Sequence, residues 1–171
     1  TAARLAHEET HPNCNVVSGG WKKMPVEIKD HIRKAALDGG IDVSILRTPF
    51  VYLDKNYVRI LGGIKGAIKA VLPLDRPVVI QVRGETERIG SEAVEAAETG
   101  ARVIMVDTGR QEDAVHVLHA LEEKGLRSRV TVAFAGNIAL EDLGGISRLG
   151  VDVMDIGYAI LDAPCLPMRF D

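Results

Sequence analysis

Four short runs rich in β-branched residues recur along the chain and restrict its fold more than any other feature. They are Val78-Val79-Ile80-Gln81-Val82, Val103-Ile104-Met105-Val106, Val130-Thr131-Val132-Ala133-Phe134 and Val151-Asp152-Val153-Met154-Asp155-Ile156. Runs this continuously apolar suit strands buried on both faces, as in a parallel sheet flanked by helices. The intervening segments read as those helices. Residues 91–99 stop at Gly100, and residues 140–149 stop at Gly150. Residues 111–124 carry Ala114, Val117, Leu118 and Leu121 on one face and end at Gly125, a C-cap position.

The same alternation extends upstream. Residues 25–38 predict a helix with a proline in its first turn and Gly39-Gly40 beyond its end. Residues 49–53 predict a strand, residues 64–72 a helix opened by Gly62-Gly63, and residues 4–8 the first strand of the series. Roughly six strand–helix units point to an α/β fold, an open or incomplete parallel α/β barrel of the TIM-like kind. A doubly wound open sheet gives the same alternation. No GxGxxG follows an early strand, but periodicity alone leaves both architectures open.

Composition narrows the function classes. The 171 residues fit one domain with a real core. A net charge of -3 gives no general attraction to nucleic acid or to an anionic membrane. No apolar run is long enough to span a bilayer, and no signal-peptide pattern opens the chain. Cys14 and Cys165 form no CxxC pair, so neither a zinc site nor a disulfide framework is expected, and a reducing cytoplasm is the expected compartment. The chain opens Thr1-Ala2-Ala3 without a methionine, which leads us to expect a fragment or processed product preceded by another domain.

In either architecture the residues just past the strand ends face a common mouth. On this reading they include His7, Glu8, Glu9 and Thr10, then Asp54, Lys55 and Asn56, then Arg83 and Glu85. Asp107-Thr108, Ala135-Gly136-Asn137, and Asp155 with Gly157 and Tyr158 complete the set. A carboxylate at Asp107 can accept sugar hydroxyls or hold a hydrated Mg²⁺; the alternative is an N-cap for the next helix. The Gly136 and Gly157 loops either hold phosphate on backbone N–H groups or are plain tight turns. The five histidines show no metal spacing with carboxylates; His116 and His119 read as surface residues of a helix, and His7 as a ligand at the mouth or a structural residue. No Ser-His-Asp or Cys-His set is present in the pattern.

With these residues in place, the chain resembles the barrel domain of the quinolinate phosphoribosyltransferases, the nicotinate-nucleotide pyrophosphorylases. Leu53-Asp54-Lys55-Asn56-Tyr57-Val58 through Leu61-Gly62-Gly63 is similar to that family's Ile-Lys-Asp-Asn-His-Ile run and the turn after it. Residues 95–101 leading into Ile104-Met105-Val106-Asp107 are similar to Ala-Gly-Ala-Asp-Ile-Ile-Met-Leu-Asp-Asn. Gly136-Asn137-Ile138 stands where Ser-Gly-Gly-Ile is expected, and Gly150-Val151-Asp152 into Ile156-Gly157 resembles Gly-Val-Asp-Tyr-Ile-Ser-Val-Gly.

The resemblance favours the open barrel and implies a smaller N-terminal domain not contained in these residues, supplied by the same or a partner chain in a homo-oligomer. It implies phosphoribosyl transfer from phosphoribosyl pyrophosphate to a pyridine carboxylate in NAD biosynthesis, with Mg²⁺ and Asp107 as a metal or ribose ligand. It assigns Lys55, Asp107 and Glu8 to catalysis. Arg47, Asp54, Gln81, Arg83, Gly136, Asn137, Asp155, Gly157 and Tyr158 are assigned to substrate or phosphate.

The departures from the pattern are acidic. The family's first strand ends Thr-Arg-Lys-Thr before a proline, and His7-Glu8-Glu9-Thr10 precede His11-Pro12 here. The family's His-Arg pair gives way to Ser44-Ile45 with Arg47 nearby, its inward lysine to Asp54, and a strand acid to Gln81. Lys55 replaces that lysine only through a register slip or bulge. A like charge facing a dicarboxylate at about 4 Å costs roughly 4 kcal/mol at an effective dielectric near 20. The alternative function is therefore a catalytically altered relative that binds a phosphate-containing ligand as a regulatory or binding protein, or an enzyme for a less acidic substrate. The expected partners are small phosphorylated ligands, not nucleic acid or membrane.

Overall fold

A computed structural model describes residues 2–10 and 12–162 of the chain. His11 and Cys165 lie outside the described residues, and Cys14 is buried. In chain order the elements are α1 (Ala2–Glu8), β1 (Asn15–Val17), α2 (Val26–Asp38), β2 (Val51–Leu53), α3 (Lys55–Ile60), α4 (Ile64–Val71) and β3 (Val78–Val82). There follow α5 (Ile89–Thr99), β4 (Val103–Asp107), α6 (Gln111–Glu123), β5 (Thr131–Ala135), α7 (Leu143–Ser147), β6 (Val153–Asp155) and α8 (Tyr158–Leu161).

All six strands are parallel and lie in the order β1-β6-β5-β4-β3-β2. This is the expected α/β barrel-like sheet, left open. A parallel bridge from Val17 to Asp42 extends it by one residue beyond β1, without reaching β2. Two apolar clusters divide the strands by face, as a period of two requires. Ile80, Val82, Ile104, Val106, Val132, Phe134 and Met154 pack outward against the helices. Val17, Val79, Val103, Met105, Ala133, Ala135 and Val153 face inward, joined by Ile45, Leu46 and Phe50 from the loop before β2. That loop packs its apolar groups against the inner face of the sheet.

The structure corrects two expectations. Residues 4–8 do not form the first strand: they belong to helix α1, which buries Ala2, Ala3 and Ala6. Ala-Ala-Arg-Leu-Ala is strong helix-forming sequence with no β-branched residue, so local propensity decides it. The first strand is Asn15–Val17, whose brevity hides its period. The helix expected over residues 140–149 is a 3-10 turn, Leu140–Asp142, followed by the short α7. Gly144 and Gly145 weaken the longer helix by leaving the unfolded backbone more freedom. Among the described residues no helix is long and apolar enough to cross a membrane.

Candidate active site at the barrel mouth

Register places the polar side chains. Asp107 pairs with Ala135, Ala135 with Asp155, and Asp155 with Val17, so the two aspartates flank one small residue on the inner face. The methyl group of Ala135 leaves space between them. Gln81 is the inward residue below the end of β3, and Tyr52 is its counterpart on β2. A cavity of about 720 Å³ opens above this layer, lined also by Gly19, Lys22, Gly136, Asn137, Gly157 and Tyr158. Another concavity, about 660 Å³, lies on the outer surface among α4, α5 and α6, lined by residues such as Lys69 and Glu98. It lies away from the converging inward side chains of the strand ends.

Asp107 is held from one side. Gln81 Nε2 donates to its Oδ2 at 3.0 Å, Arg83 Nη1 donates to the same oxygen at 3.1 Å, and Arg83 also donates to its main-chain carbonyl. It does not cap α6, whose N-cap is Arg110. Arg83 is itself positioned by a buried carboxylate. Glu92, 3% exposed, accepts the N–H groups of Arg83, Gly84 and Thr86 and the Thr86 hydroxyl. Burial pushes its pKa up, but these donors outweigh burial and hold it below the ordinary carboxylate range.

Asp155 is in the opposite condition. Burial raises its pKa, the Gly19 N–H at 3.1 Å and the charge of Lys22 oppose the rise, and the charge of Asp107 adds to it. A carboxylate kept in such surroundings costs stability, which marks it as a functional candidate. Lys22 lies in a 3-10 turn, Gly20–Lys23, over the rings of Trp21 and Tyr52 at 5.8 and 6.0 Å. On the far wall two loops meet back to back. Gly109 has φ +71° and Gly136 φ +112°; a Cβ on Gly136 would stand 2.5 Å from the Gly109 nitrogen, and the reverse substitution would meet the Gly136 oxygen at 2.6 Å. Only glycine allows this approach.

Of the residues picked out from sequence, Gln81, Asp107, Gly136, Asn137, Asp155, Gly157 and Tyr158 line the cavity, with Arg83 behind Asp107. Glu8 does not line it: on α1 it pairs with Arg4 at the surface. Asp54 caps α3, accepting the N–H groups of Asn56 and Tyr57, and Lys55 begins that helix. The β2–β3 pairing continues to Leu53 without a bulge, so the slip that would aim Lys55 inward does not occur; its main-chain N–H donates to Gln81 Oε1. Arg47 is exposed and faces Asp42. His7 packs beside Gly40.

Lys22, Tyr52, Ser18 and Gly19 were missed. The signal lay in Lys22-Lys23 followed by Pro25, a cation run before a proline just past the observed first strand. Lys22 and Lys23 line the cavity, which Glu8 and Glu9 do not.

Mg²⁺ is commonly held by one or two carboxylates plus waters and substrate phosphates. Among the described residues no group of three or more His, Cys, Asp or Glu is arranged to hold a metal ion. The hydrogen bonds reaching the Asp107 carboxylate both fall on Oδ2. Asp107 and Asp155 are the carboxylates at the mouth that would meet an ion carried by ligand phosphate oxygens.

Fold and mouth together define an open, TIM-like α/β barrel with its polar groups at the carboxyl ends of the strands. The chain belongs to the quinolinate phosphoribosyl transferase family: residues 2–171 match that family's C-terminal domain. A probable nicotinate-nucleotide pyrophosphorylase (carboxylating) of Archaeoglobus fulgidus is 25% identical over 165 residues, 96% of this chain and 62% of that protein. One from Methanothermobacter thermautotrophicus, also named probable, is 28% identical over 135 residues, 77% of this chain and 47% of that protein. The chain spans less than two thirds of the length of these relatives.

The same fold is present in solved nicotinate-nucleotide pyrophosphorylases. That of Ehrlichia chaffeensis gives a TM-score of 0.76 at 16% identity, covering 95% of this chain and 56% of that one. That of Pyrococcus furiosus gives 0.74 at 21%, covering 95% and 46%.

Proposed function

We propose that this barrel binds a phosphoribosyl donor at its mouth and transfers the sugar to a ring nitrogen, as the family membership suggests. The observation that carries the reading is the clamped Asp107, fixed by Gln81 and Arg83 beside the half-buried Asp155. In such a transfer the C1–oxygen bond breaks with its electrons leaving on pyrophosphate, and the ring nitrogen's lone pair forms the new bond. Positive charge grows at C1 meanwhile, and a preoriented carboxylate in a partly desolvated floor opposes it. Asp107 also accepts ribose hydroxyls. Gly136, Asn137 and Gly157 line the wall to which this reading assigns the phosphate. Asp107 and Asp155 are the residues that would meet a phosphate-borne Mg²⁺, which when bound neutralises pyrophosphate charge. On this reading the protein works in the cytoplasm in NAD biosynthesis, as a homo-oligomer or with a further domain.

Titration calorimetry with phosphoribosyl pyrophosphate and Mg²⁺, paired with an assay of pyrophosphate release, tests the reading. Binding with release on adding a pyridine carboxylate supports it. Binding without release supports a second reading, a phosphate-ligand binding protein, favoured by the neutral Gln81 where the family has an acid. Absence of binding removes both.

A further inference from the structure

Two carboxylates compete for one guanidinium at the rim of the mouth. Arg83 Nη1 reaches Asp107 Oδ2 at 3.1 Å, and Arg83 Nε lies 3.6 Å from Glu85 Oε1 on the loop after β3. Asp107 meets Nη1 alone, through its carboxylate and its main-chain carbonyl. Glu85 faces the Nε edge, where a carboxylate can pair with two nitrogens at once, the stronger geometry. An unoccupied Glu85 would therefore draw Arg83 off Asp107 and leave Gln81 to hold that carboxylate.

Glu85 is occupied. Near the end of α3, Arg59 Nε and Nη2 donate to Glu85 Oε2 and Oε1, each at 2.7 Å. This fork is the main reason the Glu85 carboxyl lies below its usual range; the charges of Arg83 and Lys55 add less. With both Glu85 oxygens taken, Arg83 stays beyond hydrogen-bond distance of Glu85. The backbone of the loop does not depend on this pair. Glu92 holds it from the buried side by accepting the N–H groups of Arg83, Gly84 and Thr86. Only the side chain of Arg83 is therefore left to change partner.

We propose that Arg59 is a positioning residue for Asp107: by occupying Glu85 it keeps Arg83 on the Asp107 carboxylate. Arg59 is not among the residues lining the cavity, so it acts through Arg83 and not on a ligand. What Asp107 then binds rests on the phosphoribosyl reading; the contest for Arg83 does not.

A double-substitution cycle on the full chain tests it, with Arg59→Gln, Glu85→Gln and the two combined. Two readouts are taken on each. One is the arginine side-chain ¹H–¹⁵N spectrum, in which the Nη signals of Arg83, assigned by their absence in R83K, report the clamp. The other is calorimetry with phosphoribosyl pyrophosphate and Mg²⁺. R59Q should lose the slowed Arg83 Nη signals and weaken the donor about three- to tenfold, with the unfolding midpoint in place. Removing Glu85 as well should restore both readouts, since nothing then competes with Asp107 for Arg83. A merely structural role for Arg59 predicts no such rescue. An unaltered Arg83 spectrum in R59Q overturns the proposal. So does a lost clamp with unchanged donor affinity, or a double variant no better than R59Q. If the unsubstituted chain does not bind phosphoribosyl pyrophosphate, the phosphoribosyl reading falls and the spectra decide the role of Arg59. If R59Q does not fold, Arg59→Lys decides by the same readouts, because a lysine keeps the charge without the fork and should release Arg83 in part.

Discussion

Strands β3, β4 and β5 are five residues each, whereas β1, β2 and β6 are three. The long central strands are sealed, with most residues at or near zero exposure and helices α5 and α6 packed over them. They contribute polar side chains to the mouth only near their last turns of register, at Gln81 and Asp107. The short strands enclose less, and the loops and ends around them deliver Lys22, Tyr52 and Asp155. A barrel can thus divide labour: the centre gives a rigid wall, and the shorter flanks supply side chains whose identity can change without dismantling the core.

The largest expected effect tests that division. Phe134 is 1% exposed on the outer face of β5, and Phe134→Ala should cost about 3–5 kcal/mol in denaturant unfolding. Val16 on β1 is 7% exposed, and Val16→Ala should cost only about 1–2 kcal/mol. Hydrogen exchange should show the same gradient, with amides of β4 protected to the global limit and those of β1 opening locally. Equal costs and equal protection in the two strands would dissolve the distinction.

Next in size are two carboxylates with opposite pH behaviour. Glu92 holds the loop after β3, and its pKa is lowered on folding. Its contribution is therefore present above the unfolded value near 4.3 and is lost as pH falls through the folded value. Glu92→Gln should cost about 1–3 kcal/mol at neutral pH, and the loss should shrink on acidification. Because Glu92 aims Arg83, weaker donor binding should accompany it.

Asp155, in β6, has a raised pKa, so its favourable contribution exists below about 3.9 and disappears as pH rises through the folded value. Asp155→Asn should therefore raise stability at neutral pH by about 0.5–2 kcal/mol while weakening ligand binding. Thermal melts from pH 3 to 8 separate the two. A stability loss in D155N at pH 7 would contradict the account of a partly desolvated charge.

The sealed centre was also the legible part. Val78–Val82 matches its run, the run expected at β4 stops one residue short of the strand, and that at β5 is shifted by one residue, because a strand buried on both faces writes itself as an apolar run. Asp107 was legible for the same reason, since it follows such a run directly, and Asp155 lies near the end of the run expected over residues 151–156. Strand β1 offered Asn15-Val16-Val17, too short to carry a period, beside a helix that sequence reading took for a strand. That error displaced the mouth on this side to residues 7–10 and hid Lys22. Tyr52 was hidden differently. Its inward direction depends on the β2–β3 register, Tyr52 against Val79, which no local pattern records. Asp54 followed from sequence as a strand-end residue, but its carboxylate is occupied by the first N–H groups of α3.

The smallest expected effect bears on that same displaced corner. Glu8 accepts from Arg4 Nε at 2.8 Å, one turn apart on α1, with both side chains largely exposed. Such a pair sits in water and is screened by salt, so its loss should not move the unfolding midpoint measurably. Glu8→Gln should likewise leave affinity for phosphoribosyl pyrophosphate unchanged, because the residue is not among those lining the cavity. Lys22→Gln provides the contrast. It removes a lining cation beside Asp155 and should weaken an anionic ligand roughly tenfold while leaving the fold intact. If instead E8Q lowered affinity and K22Q did not, the acidic run at residues 7–10 would have to face the ligand. Strand β1 would then have to end there rather than at Val17. Its pairing with β6 through Asn15–Val153 and Val17–Asp155 leaves no room for that register.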